Sequence, residues 1–103
     1  MDKIAALTEI LKTDSTNAFA RYGLAMEYLS QGDTNAGLAE FTTLIEKNHD
    51  YVPAYQMSAQ TLAKLGRTDE AISRLKEGLA VATRTGNTHA ASEMQALLDD
   101  LTS

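Results

Sequence analysis

The chain contains no cysteine. That absence excludes disulfide staples, thiolate zinc sites and thiol nucleophiles, so the fold must hold by apolar burial. No apolar stretch approaches the roughly 20 residues that a membrane-spanning helix needs. The opening Met1-Asp2-Lys3-Ile4 also lacks the basic segment and apolar run of a secretory leader, so a cytoplasmic protein without membrane contact is expected. Positive charge is short as well: nine Lys plus Arg stand against fourteen Asp plus Glu, a formal net charge of −5. The first fifty residues carry four positive and eight negative charges and the remaining fifty-three carry five and six, so neither half offers a footprint for nucleic acid. Arg67, Arg74, Lys76 and Arg84 read as parts of solvated faces.

Groups that carry chemistry are equally scarce. His49 and His89 are the only neutral-pH acid–base side chains, and neither sits in an HExxH-type ligand pair. His49-Asp50 reads as the end of one helix turning into the next, where a histidine interacts well with the helix dipole. Asp69-Glu70 fits a helix start and Asp99-Asp100 an exposed helix face. Neither GxxxxGK[ST] nor GxGxxG occurs, so no phosphate cradle is expected, and no catalytic residue, metal or cofactor is assigned.

What is present is helical and repetitive. A single proline, six glycines and abundant Ala, Leu, Glu and Lys favour helix, and apolar residues recur at three- and four-residue steps. With 44% hydrophobic residues in 103, one small domain spanning residues 1–103 is expected. Slid against itself, the sequence divides into Ala18–Tyr51 and Val52–Thr85, two consecutive 34-residue blocks that align without gaps. Ala20 falls on Ala54, Ala25 on Ala59, Gly32 on Gly66 and Thr34 on Thr68, while Leu38 meets Ile72 and Phe41 meets Leu75. Each block breaks at its glycine into two helical patterns: Ala18–Gln31 with Asn35–Lys47, and Pro53–Leu65 with Asp69–Arg84.

Gly32 and Gly66 are placed to leave a helix through a left-handed residue. Beyond them, Asp33-Thr34 and Thr68-Asp69-Glu70 are expected to cap the following helices or to set negative charge at their N-termini. Pro53 suits a first helical turn, and Asp14-Ser15-Thr16-Asn17 forms a turn before the first full block. Residues 1–17, with Ile4, Leu7, Ile10 and Leu11 on one stripe, read as a half repeat. After a turn at Thr85-Gly86-Asn87-Thr88, residues 86–103 give a last amphipathic helix through Ala90, Ala91, Met94, Leu97, Leu98 and Leu101. Six helices result, the terminal ones acting as lids.

A 34-residue helix–turn–helix unit resembles the tetratricopeptide repeat, whose signature runs W-x2-L-G-x2-Y, then a small residue, an aromatic and a proline. The equivalent positions hold Arg21, Leu24, Ala25, Tyr28, Gly37, Phe41 and His49 in the first block, and Tyr55, Ser58, Ala59, Leu62, Ala71, Leu75 and Thr83 in the second. Gly66-Arg67-Thr68-Asp69-Glu70-Ala71-Ile72 is the strongest single match. Arg21 in place of an aromatic, Ser58 in place of leucine, and His49 and Thr83 in place of proline are departures. The resemblance implies an all-α, right-handed superhelix, a solenoid of about two full repeats whose first helices line a concave face. It also implies a non-enzymatic role in binding a protein or peptide.

On the first full helix, Phe19, Tyr22, Met26 and Leu29 form a stripe beside the packing stripe of Leu24, Ala25 and Tyr28. By the family's geometry the extra stripe would face the groove, joined by Asp50, Tyr51, Gln56, Gln60 and Lys64, with Met94 closing the far end. Aromatic and Met side chains make good anchors because they bury much area and Met adapts its shape. Burial of Phe19 under a terminal helix is an equal reading; Tyr22 and Met26 are assigned to the groove. The Lys and Asn positions with which some of these domains clamp a partner's C-terminal carboxylate hold Tyr22, Met26 and Met57 here, so an extended or helical apolar segment is the expected ligand. Lys64 is left for a single acidic contact. The alternatives are a self-associating homodimer and a regulatory subunit of a larger complex.

Overall fold

The computed structural model describes residues 2–103, and all their regular structure is helical. Six helices follow in order: α1 (Lys3–Thr13), α2 (Ala18–Ser30), α3 (Thr34–Lys47), α4 (Val52–Lys64), α5 (Thr68–Arg84) and α6 (Thr88–Thr102). The four block helices start and stop within one residue of the ends read from sequence. None of the helices is long and apolar enough to cross a membrane among the described residues. The chain forms two compact units, the first holding α1–α3 and ending at His49, the second beginning at Asp50 and holding α4–α6.

Three turns share one mechanism. Gly32, Gly66 and Gly86 have φ of 83°, 76° and 77°, the left-handed region in which a Cβ would be strained. At each, the glycine N–H and the next N–H donate to the carbonyls of the last helical turn: Gly32 to Leu29 and Asp33 to Tyr28, Gly66 to Ala63 and Arg67 to Leu62, Gly86 to Thr83 and Asn87 to Ala82. This paired pattern satisfies carbonyls that the helix end leaves free. On the N-terminal side, Asp2, Asn17, Asp33 and Asn87 each accept a backbone N–H three residues on, from Ala5, Ala20, Ala36 and Ala90. The expected cap at Thr68 does not form. Arg67 occupies the N-cap position without a side-chain cap, Thr68 is already helical, and Asp69 and Glu70 place their charge in the first turn.

In the first unit, Leu11 of α1 packs with Ala20 and Leu24 of α2, and Ile4, Leu7 and Tyr28 complete the cluster. Ile10, expected on the same stripe, is 43% exposed, because α1 turns the Leu7–Leu11 edge to α2. α2 and α3 run antiparallel. Leu29 and Ala25 approach Gly37, where a Cβ would lie 2.7 Å from Leu29 Cδ2 and 3.1 Å from the Ala25 carbonyl oxygen. Phe41 and Leu44 of α3 are fully buried, and each buried side chain of this size contributes about 1.5–3 kcal/mol. Arg21, which replaces the aromatic of the repeat signature, reaches Glu40 at 2.7 Å and the Ser15 carbonyl at 3.1 Å.

The second unit repeats the hairpin with α4 and α5 and adds α6. Ala54, Ala59, Ala71, Leu75 and Ala82 are fully buried, and Tyr55 takes the aromatic position at 4% exposure. Ser58 is buried, yet its hydroxyl donates to the Ala54 carbonyl at 2.6 Å and stands 3.2 Å from that of Tyr55, so no polar atom is stranded. Asp50 and Arg84, one 34-residue interval apart, pair through the two terminal guanidinium nitrogens, Nη2 and Nη1, which donate to the carboxylate at 2.5 and 3.2 Å. That pairing pushes the Arg84 pKa up, chiefly through the hydrogen bond to Asp50.

Candidate functional site

The ten expected site residues divide between the units. In the first, α2 begins at its Asn17 cap, and this fixes the phase in which Ala20, Leu24 and Ala25 point inward. Phe19 is consequently turned out and is 84% exposed, so neither α1 nor α3 covers it. Tyr22 is half-buried, with its ring 5.8 Å from that of Phe41 and tilted by 58°, a favourable aromatic geometry. Met26 is also half-buried. Leu29 lies over Gly37, so much of its side chain is committed to the α2–α3 contact.

In the second unit, Asp50 is exposed with its carboxylate held by Arg84, and Tyr51 is half-buried at the N-cap position of α4 without a side-chain cap bond. Gln56, Gln60 and Lys64 recur every four residues along α4 and share one edge of it. That edge faces α6. Gln56 Nε2 donates to Glu93 Oε1 at 3.1 Å, and one to two turns further along Gln60, Ala63 and Lys64 line a cavity of about 490 Å³ with Leu97. His89 Nε2 is 3.1 Å from the same Glu93 oxygen, so one carboxylate joins both neighbours at one end of the furrow. At the other end Lys64 is exposed and makes no ion pair among the described residues.

Met94 does not belong to this surface. It is 1% exposed and packs over Gly78, where a Cβ would meet its sulfur at 2.7 Å. The expected groove terminus is therefore core, because α6 turns its Ala90–Met94 edge towards α5. The side chain that does reach the furrow from α6 is Leu97, which sequence reasoning placed only on the packing stripe. Glu93 was missed too. Its signal was the four-residue step from His89 through Glu93 to Leu97, parallel to the Gln56–Gln60–Lys64 step on α4.

The furrow offers amide groups, the Glu93 carboxylate at one end, the Lys64 cation at the other and an apolar floor between them. Such a mixture suits recognition of a side chain, and its volume lies within the roughly 300–1,000 Å³ range of ligand pockets. His49 and His89 stand on the surface, and no group of three or more His, Asp or Glu with metal-binding geometry occurs among the described residues.

Comparison with known proteins agrees with this architecture. A tetratricopeptide repeat domain protein of Salinibacter ruber, solved by NMR, is 34% identical, with a TM-score of 0.79 over 82% of this chain and 86% of that one. A TPR repeat-containing protein of Pseudomonas aeruginosa is 26% identical over 98 residues, covering 95% of this chain and 93% of the relative. The crystal structure of PcrH in complex with the chaperone binding region of PopD shares the fold with a TM-score of 0.87 at 19% identity, over 96% of this chain and 75% of that one. The tetratricopeptide repeat family profile matches residues 28–98. With its left-handed turn glycines, its buried small residues at Ala25, Ala59, Gly37 and Ala71, and that match, the chain belongs to the tetratricopeptide repeat family.

Proposed function

We propose that this chain is a non-catalytic protein-interaction module that binds a segment of another protein, with a candidate binding surface on each unit taken by itself. On α2 the surface is Phe19, Tyr22 and Met26; on the second unit it is the α4–α6 furrow with Gln56, Gln60 and Lys64. The observation that carries the reading is the furrow, where two residues expected to bind, Gln60 and Lys64, line one cavity with Leu97. The exposed Phe19 and the half-buried Tyr22 and Met26 on α2 add apolar area of the kind that anchors partners. The fold is shared with PcrH, solved with a segment of PopD, and this supports a segment as the type of ligand.

Affinity capture tests the reading. Wild type and a Tyr22→Ala/Met26→Ala variant are used side by side, and proteins retained by wild type alone are titrated against both. A partner whose affinity drops at least tenfold in the double variant, with little change in melting temperature, supports the proposal. Equal retention by both removes the α2 surface and leaves the furrow, which Leu97→Ala tests in the same way; no specific retention by wild type removes the proposal.

Phe19 favours a second reading, in which the chain pairs with its own copy through α2, since a ring 84% exposed is costly to leave in water. Sedimentation over a range of concentrations decides between the two. A dimer that dissociates on Phe19→Ser supports self-association, and a monomer at high concentration excludes it.

A further inference from the structure

α1 and α6 each stand in the place of half a repeat. α1 ends as α3 does: Asp14 and Asn48, one 34-residue interval apart, lie at φ of −141° and −139° and donate their N–H groups to the carbonyls of Ile10 and Leu44. α6 starts as α2 does, with Asn87 and Asn17 each accepting a backbone N–H from three residues on. Among the described residues α1 is therefore a second helix without a first, and α6 a first helix without a second. The chain's own hairpins show which side chains such a pair brings together. Leu29 of α2 lies over Gly37 of α3, the Tyr22 ring stands beside that of Phe41, and Tyr55 of α4 abuts Gly78 of α5. At the matching positions α6 carries Asp99, Ser92 and Ala91, and α1 carries Lys3, Leu7 and Ile10.

From this register we infer that α6 of one copy and α1 of a second copy pair as an antiparallel hairpin, so that copies of the chain associate head to tail. Volume and charge both select this occupant. Ile10, 43% exposed, supplies the large side chain and Ala91 the small one, where Tyr55 and Gly78 divide the space the opposite way within the chain. The half-buried Leu7 meets the short, exposed Ser92. At the other end of the contact Lys3, exposed and in no ion pair among the described residues, meets the exposed Asp99, with Asp100 next to it. Gln95 stands where α2 and α4 have Ala25 and Ala59, so the two helices stay further apart than α2 and α3 do. Helices of 11 and 15 residues meeting along one edge also bury less than the roughly 1,200 Å² of a stable complex, and association is expected only at about 0.1–1 mM. None of these residues belongs to the two surfaces assigned to a partner segment, so the inference stands apart from the proposed function.

The test is sedimentation of the full chain, from about 10 µM to about 1 mM, beside Ile10→Lys, which blocks α1, and Ala91→Arg, which blocks α6, each first checked for helicity and cooperative unfolding. The expected result is a wild-type mass that rises with concentration while each variant alone stays a monomer. An equal mixture of the two variants should associate again, because α6 of Ile10→Lys and α1 of Ala91→Arg are both intact. Contact between two different faces has this signature, and contact between two identical faces does not. In the mixture, the amide NMR signals that move should be those of α6 when Ile10→Lys carries the label and those of α1 when Ala91→Arg carries it. Lys3→Glu should weaken association about 5-fold at low salt and less at high salt, and Lys3→Glu/Asp99→Lys should restore it. A wild type that is monomeric throughout the range, or a mixture that stays monomeric, overturns this inference and leaves the module reading in place. Association that survives in both single variants and is lost on Phe19→Ser also overturns it and belongs to α2. If Ala91→Arg is misfolded, Ser92→Arg replaces it, with the same results expected.

Discussion

Gly78 lies directly beneath Met94: a Cβ at this position would stand 2.7 Å from the Met94 sulfur and 2.7 Å from Tyr55 Cβ. The sulfur ends a flexible side chain and can move aside. Tyr55 Cβ is fixed to the α4 backbone and cannot. The glycine thus sets how closely α5 approaches α4 and α6 in the second unit. Gly78→Ala is expected to lower stability by about 1–2 kcal/mol, the cost of overpacking exceeding the helix-propensity gain of about 1 kcal/mol. Gly23→Ala is the internal comparison. There the added Cβ would meet Leu7 at 3.5 Å, an ordinary contact, so the propensity gain should dominate and raise stability by about 0.5–1 kcal/mol. Urea unfolding of the two variants beside wild type checks the opposite signs.

Leu24 and Ser58 occupy the same position in the two repeats, are 4% and 1% exposed, and differ in what their loss should cost. Leu24→Ala opens a cavity in the α1–α2 cluster and is expected to destabilise by about 3 kcal/mol. Ser58→Ala removes a hydroxyl whose acceptors are carbonyls of its own helix, so the change should stay within about 0.5 kcal/mol of wild type. A large loss for Ser58→Ala would mean that the hydroxyl does more than back-bond to α4. Denaturation midpoints at constant m-value supply the comparison.

The contrast between these positions also explains what could be read from sequence and what could not. Helix limits and the three glycine turns were legible because their causes are local: Gly32 and Gly66 recur at one interval, Thr85-Gly86-Asn87-Thr88 is a run of turn formers, and a left-handed exit has few residue solutions. Exposure was not local. Phe19 and Met94 are both large apolar residues on amphipathic helices, yet one is 84% and the other 1% exposed, because α5 packs on the edge of α6 that carries Met94 and no helix of the first unit reaches Phe19. Within a stripe, spacing says which side chains share a face and is silent about which neighbour covers it. For the same reason Leu97 read as packing and Met94 as groove, although they are three residues apart on one helix.

Arg21 and Glu40 form the one ion pair in which both side chains are mostly enclosed, at 13% and 23% exposure, among those of the described residues. Its strength should fall between that of exposed pairs, at about 0.2–1 kcal/mol, and the 3–5 kcal/mol of breaking a fully buried one. A double-mutant cycle with Arg21→Met and Glu40→Gln is expected to give a coupling of about 1–2 kcal/mol that changes little with salt. The same cycle at Lys12 and Glu9, whose side chains are 64% and 56% exposed, should give less than about 0.5 kcal/mol. Equal couplings at the two sites would show that enclosure adds nothing to the pair.

Tyr55 provides the pH-dependent prediction. Burial, with a smaller contribution from the negative charge of Glu77, raises its phenol above the ordinary pKa of 10.0. The neutral phenol is the form that the fold accommodates, so the folded chain holds its proton to higher pH than the unfolded chain does. Above pH 10 the unfolded state has fewer protons bound, and stability falls as pH rises towards the folded-state value; below pH 10 both states are protonated and the group contributes no slope. Tyr55→Phe removes this titration while keeping the ring. Its stability relative to wild type should be constant from about pH 7 to 9 and should then improve steadily above pH 10, as wild type alone loses the contribution. Urea titrations at closely spaced pH values measure that difference, and parallel curves for the two proteins through the alkaline range would show that Tyr55 ionises equally in both states.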